Sequence, residues 1–132
     1  MVRKDTWKGY DDETIKGISH EDFLRLTTSR NRRTLARLKN NPKLKRFMDK
    51  VRKARESGKG KMIKTHIRDA VIMPEWLGLM FGVYNGKEYR KVEISIKKIG
   101  KRLGDFSHST TRVLHSGPGV GATRGSKFVP LK

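Results

Sequence analysis

Residues 79–94 read LMFGVYNGKEYRKVEI, and this stretch decides what kind of fold the chain can have. Leu79, Phe81 and Val83 recur at every second position, the period of a half-buried strand. Asn85-Gly86 follows at once and is the strongest hairpin signal in the chain, because both residues tolerate positive φ. The returning strand is expected over residues 87–94, with Val92 and Ile94 turned inward. A hairpin thus stands in a chain whose other periodic segments are helical.

On the upstream side, Pro74 breaks the chain and residues 74–77 are expected to turn. Residues 61–72 read as extended, although periodicity leaves a helical piece open. Before them, Leu44, Phe47, Met48 and Val51 fall at i, i+3, i+4 and i+7, one apolar stripe on a helix that ends near Arg55. Asn41-Pro42 marks its start, since proline is tolerated in the first turn. A second helix is expected over residues 30–38, capped by Ser29, with Leu35 and Leu38 inward. A third, short helix carries Phe23 and Leu26 on one face, with Ser19 and Asp22 resembling a capping box. Residues 1–19 are polar and mixed in charge and read as an extended arm.

Downstream, Ser95 is expected to cap a short helix over residues 96–103 that Gly104 stops. Ile96, Ile99 and Leu103 would share its inner face, and Lys97, Lys98, Lys101 and Arg102 its outer one. From residue 107 on, apolar periodicity ceases, and residues 107–132 read as a basic tail that orders on a partner. The expected divisions are 1–28 (arm and short helix), 29–60 (basic helical extension), 61–106 (core) and 107–132 (tail).

Charge selects the partner class. The chain of 132 residues has 32 Lys plus Arg against 13 Asp plus Glu, a formal net charge of +19. Such an excess repels itself unless counter-charge is supplied. A phosphate backbone supplies it and releases counterions on binding. The excess is concentrated: residues 29–64 hold 15 bases and 2 acids, whereas residues 1–28 hold 5 bases and 6 acids. Residues 65–106 hold 8 bases and 5 acids, and residues 107–132 hold 4 bases and no acid. Between Lys43 and Arg55 seven bases face the single acid Asp49, where an ordinary solvated helix would mix in Glu. Lys43, Arg46, Lys50, Arg52 and Lys53 are therefore candidate phosphate contacts, and Arg30, Arg32, Arg33 and Arg37 extend the patch. Lys64, His66, Arg68, Arg90, Lys97 and Lys98, with Arg124 and Lys127 of the tail, complete the candidates from charge. Trp7, Tyr10, Trp76, Tyr84 and Tyr89 stand among bases and suit either stacking on RNA or packing, and for Trp76 packing is favoured.

Other chemistries find no support. With no cysteine, disulfides, thiolate zinc sites and thiol catalysis are excluded. His20, His66, His108 and His115 lack metal-ligand spacing, so no metal or other cofactor is expected. The stretch at 117–122, GPGVGA, matches a dinucleotide fingerprint formally but has neither the strand before it nor the helix after it. No nucleophile elbow or carboxylate pair stands out, so no enzymatic activity is expected. The N-terminal residues lack a secretory apolar stretch, and residues 70–84 are too short to span a bilayer. A cytoplasmic location without membrane contact is the expectation. Charge alone leaves DNA and an anionic membrane surface open as alternatives to RNA.

Residues 85–109 resemble the signature of the ribosomal protein S19 family of the small subunit. Asn85, Gly86 and Lys87 open the pattern, Ile94 follows, then Ile99 and Gly100, then Leu103, Gly104, Asp105 and Phe106, and Ser109 closes it, all at the family's spacing. Asp105 stands where bacterial members have Glu. The tail GPGVGATRGSKFVPLK and the long basic N-terminal part resemble the archaeal and eukaryotic branch, whose eukaryotic member is called ribosomal protein S15. The resemblance implies an α+β fold: a small three-stranded mixed sheet with short helices, here with a basic helical N-terminal extension and an extended C-terminal tail. It implies binding to the 3′ (head) domain of small-subunit ribosomal RNA, beside ribosomal protein S13 and other head proteins. It implies a tail running toward the decoding site and A-site transfer RNA. RNA contact carries over to Lys87, Lys101, Arg102, His108 and Arg112, and Gly86, Gly100 and Gly104 would let RNA approach the backbone.

Overall fold

The computed structural model describes residues 5–58 and 60–110. Three strands, β1 (Ile63–Thr65), β2 (Met80–Tyr84) and β3 (Tyr89–Glu93), form one sheet in that order. β1 pairs with β2 in parallel, with Ile63 opposite Phe81, and β2 pairs with β3 antiparallel, with Tyr84 opposite Tyr89. The sheet is thus mixed, and with four short helices the fold is α+β, as the resemblance implied.

The hairpin forms, but Asn85 works differently from the expectation. Its φ is not positive; only Gly86 takes that region, at φ +106°. Asn85 instead contributes its side chain, whose Oδ1 accepts from the Lys87 and Glu88 amides at 2.9 and 2.8 Å. The Asn85 amide donates to Glu88 O at 3.0 Å and closes the loop. An Asx side chain standing in for a backbone carbonyl is a common turn device.

Four helices precede the sheet: α1 (Asp12–Lys16), α2 (His20–Leu26), α3 (Ser29–Ala36) and α4 (Pro42–Glu56). Ser19 caps α2, accepting from the Asp22 amide at 3.1 Å, while its hydroxyl donates to Asp22 Oδ2 rather than completing a reciprocal box. Phe23 of α2 is buried, but Leu26 is only half-buried. For α3 the cap position is Thr28, and Ser29 is already helical. Asn41 caps α4, its Oδ1 accepting from the Leu44 amide at 3.2 Å, and Pro42 takes the first turn. The expected stripe turns inward: Leu44, Phe47 and Val51 are buried and Met48 is half-buried. Phe47 meets Trp76 edge-on at 5.9 Å and lies 6.2 Å from Phe81, which couples α4 to the central strand and confirms Trp76 as a packing residue.

Three expectations are corrected. Residues 5–19 are not an extended arm: Trp7 and Tyr10 close a tight turn, and Ile15 of α1 is fully buried in the core. Trp7 packs on Phe23 at a centroid distance of 5.8 Å. Residues 96–103 are not a helix. They form a 3₁₀ turn, Ile96–Lys98, then Gly100 at φ +72°, then a second 3₁₀ turn, Leu103–Phe106. The reason is tertiary pairing. The amides of Gly100, Leu103 and Gly104 donate to Ile72, Ala70 and Arg68, so they are not available to a helical ladder. The inward set survives, since Ile96, Ile99 and Leu103 are all buried. Finally, Ser107 is not tail: it is fully buried, and its hydroxyl donates to Val83 O at 3.2 Å. Residues 111–132 lie outside the described part of the chain.

Candidate nucleic-acid interface

Because α4 turns its apolar stripe to the core, its bases have nowhere to go but outward. Lys43, Arg46, Lys50, Arg52 and Lys53 are all exposed. Two bases of the helix are engaged locally: Lys50 Nζ donates to Lys64 O at 3.1 Å, and Arg55 pairs with Glu75 at 3.4 Å. Lys43, Arg46, Arg52 and Lys53 have no ion pair among the described residues.

The three arginines of α3 and Arg37 at its end, alike in the sequence, divide in the structure. Arg32 folds back on α2 and donates to the carbonyls of Leu24, Arg25 and Thr27, satisfying the end of that helix. Arg30, Arg33 and Arg37 instead ring a surface hollow with Thr34 and Arg102.

Two sequence-derived candidates are internal clamps rather than free surface bases. Arg68 donates to Tyr84 O at 2.8 Å, to Gly104 O at 3.2 Å and to Ser107 O. Arg102, expected to face outward, keeps a side chain only 14% exposed. It donates to Asn31 Oδ1, Thr34 Oγ1 and Asp69 Oδ1 at 2.9, 2.9 and 3.2 Å. A fork of five donors suits this bridging, and the bridge ties α3 to the segment after β3.

The close backbone approach expected for RNA at Gly100 and Gly104 is made by the chain itself. A Cβ at Gly100 would meet the Trp7 ring at 3.2 Å, and one at Gly104 would meet Arg68 Cβ at 3.1 Å. Around Gly86 the space is open.

Lys87 and Arg90 are exposed at the hairpin. Lys97 is exposed but pairs with Asp5 at 2.7 Å. Lys98 is half-buried, donating to Glu93 O at 2.6 Å with its ammonium 5.3 Å from the Phe106 ring, and Lys101 lies 5.9 Å from the same ring. His108 is exposed. Arg112, Arg124 and Lys127 lie outside the described residues.

Lys64 and His66 reach one face of the sheet together with Tyr84 and Tyr89, a grouping that the linear sequence does not display. The rings of His66 and Tyr84 are 4.5 Å apart, and those of Tyr84 and Tyr89 5.2 Å. Knowing the register would have found it, because Tyr84 and Tyr89 are directly opposed and His66 follows the Thr65–Val83 pair.

Among the described residues no group of three or more acidic or histidine side chains is placed to hold a metal, and no helix is long and apolar enough to cross a membrane. The described surface is thus one of exposed bases and a few rings, an arrangement that can neutralise phosphates.

A model of the family described as ribosomal protein S19 matches residues 36–115. The chain belongs to the ribosomal protein S19 family. The matched span holds α4, the whole sheet and both 3₁₀ turns after it. Among its relatives is the small ribosomal subunit protein uS19 of Thermoplasma acidophilum, 44% identical over 127 residues, which cover 96% of this chain and 80% of the relative. The protein of the same name from Methanococcus maripaludis is 42% identical over 130 residues, with the same coverage. This S19 chain is of the archaeal and eukaryotic type. As an S19 protein it is a structural, non-catalytic ribosomal component.

Proposed function

We propose that this S19 protein assembles into the head of the small ribosomal subunit by binding the 3′ domain of its ribosomal RNA. The observation that carries the proposal is the family match across residues 36–115, which includes the outward basic face of α4. That face holds exposed bases that make no ion pair within the described residues, Lys43, Arg46, Arg52 and Lys53 included, and a phosphate backbone is their natural counter-charge. Lys87, Arg90, Lys101 and His108 extend the contact around the hairpin and the segment after it. In this arrangement the chain lies beside ribosomal protein S13 and other head proteins. The tail after Ser107, with Arg112, Arg124 and Lys127, runs toward the decoding site and A-site transfer RNA. The protein works in the cytoplasm, within the subunit. Sedimentation of the native protein with small subunits tests the assignment, together with competition between the 3′-domain RNA and duplex DNA at matched salt. Preference for the RNA is expected. Equal affinity for both would point to a general basic nucleic-acid binder instead.

A further inference from the structure

The sheet buries one face and opens the other. Ile63 and Thr65, Phe81 and Val83, and Val92 point into the core. By the two-residue period of strands, Lys64, Gly82, Tyr84, Tyr89 and Lys91 take the opposite face, and His66 continues it past the end of β1. Lys64, His66, Tyr89 and Lys91 are exposed there. Tyr89, at 37%, is the one exposed large hydrophobic side chain among the described residues.

His66, just past β1, closes a cluster with Tyr84 of β2 and Tyr89 of β3, its ring 4.5 and 5.4 Å from theirs, and hydrogen bonds hold the cluster in place. The Tyr89 hydroxyl and His66 Nε2 are 2.7 Å apart, and the Tyr84 hydroxyl donates to Gly86 O at 2.7 Å. Lys64 Nζ stands 5.3 Å from the Tyr89 ring centroid. Rings fixed before binding lose little freedom when a ligand stacks on them. Rings flanked by ammonium groups on an open sheet face form a surface that takes a flat base and its phosphate together.

We propose that this cluster is a stacking platform for an unpaired nucleobase of RNA, with Tyr89 as the contact surface and Lys64 beside it for the phosphate. The proposal rests on the RNA reading above and adds a contact of different chemistry, one insensitive to charge count. A base in a loop or bulge fits it, since a base within a duplex has no free face.

The test uses the full chain and the 3′-domain ribosomal RNA fragment, with Tyr89→Ala, Tyr89→Leu and Tyr89→Phe compared across a salt series. Loss of one stacked base weakens binding by about 5- to 150-fold. That loss is expected for Ala and Leu, with an unchanged log–log salt slope, while Phe stays near wild type. If Ala does not fold, the Leu and Phe pair still decides. Wild-type affinity in Ala and Leu would overturn the platform while leaving RNA binding intact, and so would Leu binding as well as Phe. Unchanged RNA affinity with impaired uptake of a neighbouring protein into the subunit would assign the face to protein and overturn it equally. A wild-type chain that does not bind the fragment would overturn the platform together with the RNA reading.

Discussion

Arg102 Nε donates to Asn31 Oδ1 at 2.9 Å, and the same Asn31 side chain donates to Gly100 O at 2.8 Å. Asn31 is 7% exposed, so these bonds form almost out of water. Replacing it strands a guanidinium N–H and a carbonyl. We expect Asn31→Ala to cost about 1–3 kcal/mol, read from the urea midpoint. Arg102→Lys should not preserve stability, because an ammonium cannot span Asn31, Thr34 and Asp69 as the planar fork does. Wild-type midpoints in both variants would show that α3 is held by other contacts.

Gly104 is a packing position. An alanine Cβ there would lie 3.1 Å from Arg68 Cβ and 3.2 Å from Arg68 O, and a backbone carbonyl moves aside reluctantly. Gly104→Ala should therefore cost about 1–3 kcal/mol by overpacking, seen as a lower melting temperature before any RNA is added. If the melt is untouched and only RNA affinity falls, the glycine serves the nucleic acid after all.

The exposed bases of α4 should report themselves through salt. Lys43→Gln, Arg46→Gln and Lys53→Gln together should lower the log–log slope of RNA binding by about 0.9 per lost contact on duplex and about 0.7 on single strands. Lys97→Gln should change it less, since Lys97 is paired to Asp5. A slope unaffected by the triple change means that the helix faces protein or solvent in the subunit.

The boundary of the folded domain falls after Ser107, not before it. Ending the chain at Phe106 deletes a fully buried serine, its bond to Val83 O and the carbonyl that Arg68 holds. We expect a loss of about 2 kcal/mol or more in chemical denaturation. Ending it at Thr110 keeps every described contact, so its cooperative melt should persist while translation suffers. Loss of that melt would show that the domain needs residues beyond Thr110.

Periodic signals were legible in the sequence, and signals that depend on distant partners were not. The α4 stripe and its Asn41-Pro42 start are local facts of spacing and capping, so Leu44, Phe47 and Val51 could be read directly. The inward set Ile96, Ile99 and Leu103 is equally readable, yet its spacing suggests a helix that does not form, because pairing with residues 68–72 overrides local spacing. The same blindness hid the fates of the arginines. Nothing adjacent to Arg32, Arg68 or Arg102 distinguishes a clamp from a phosphate contact; their carbonyl and amide partners lie 5 to 71 positions away. Charge count selected nucleic acid, but it overstated how many bases are free to meet it.

The pairing of Asn31 with Arg102 and Gly100 also sets a timetable. A chain emerging from N to C terminus presents α3 and the strongly basic α4 long before residues 100–102 exist. The docking of α3 cannot be completed until residues 100–102 have been made, and contacts of such sequence separation close slowly. During that interval a nascent segment dense in Lys and Arg stands without its final neighbours, beside the RNA of the ribosome that is making it. Early escort by a polyanion or an acidic chaperone would protect this chain at the stage when it is most exposed.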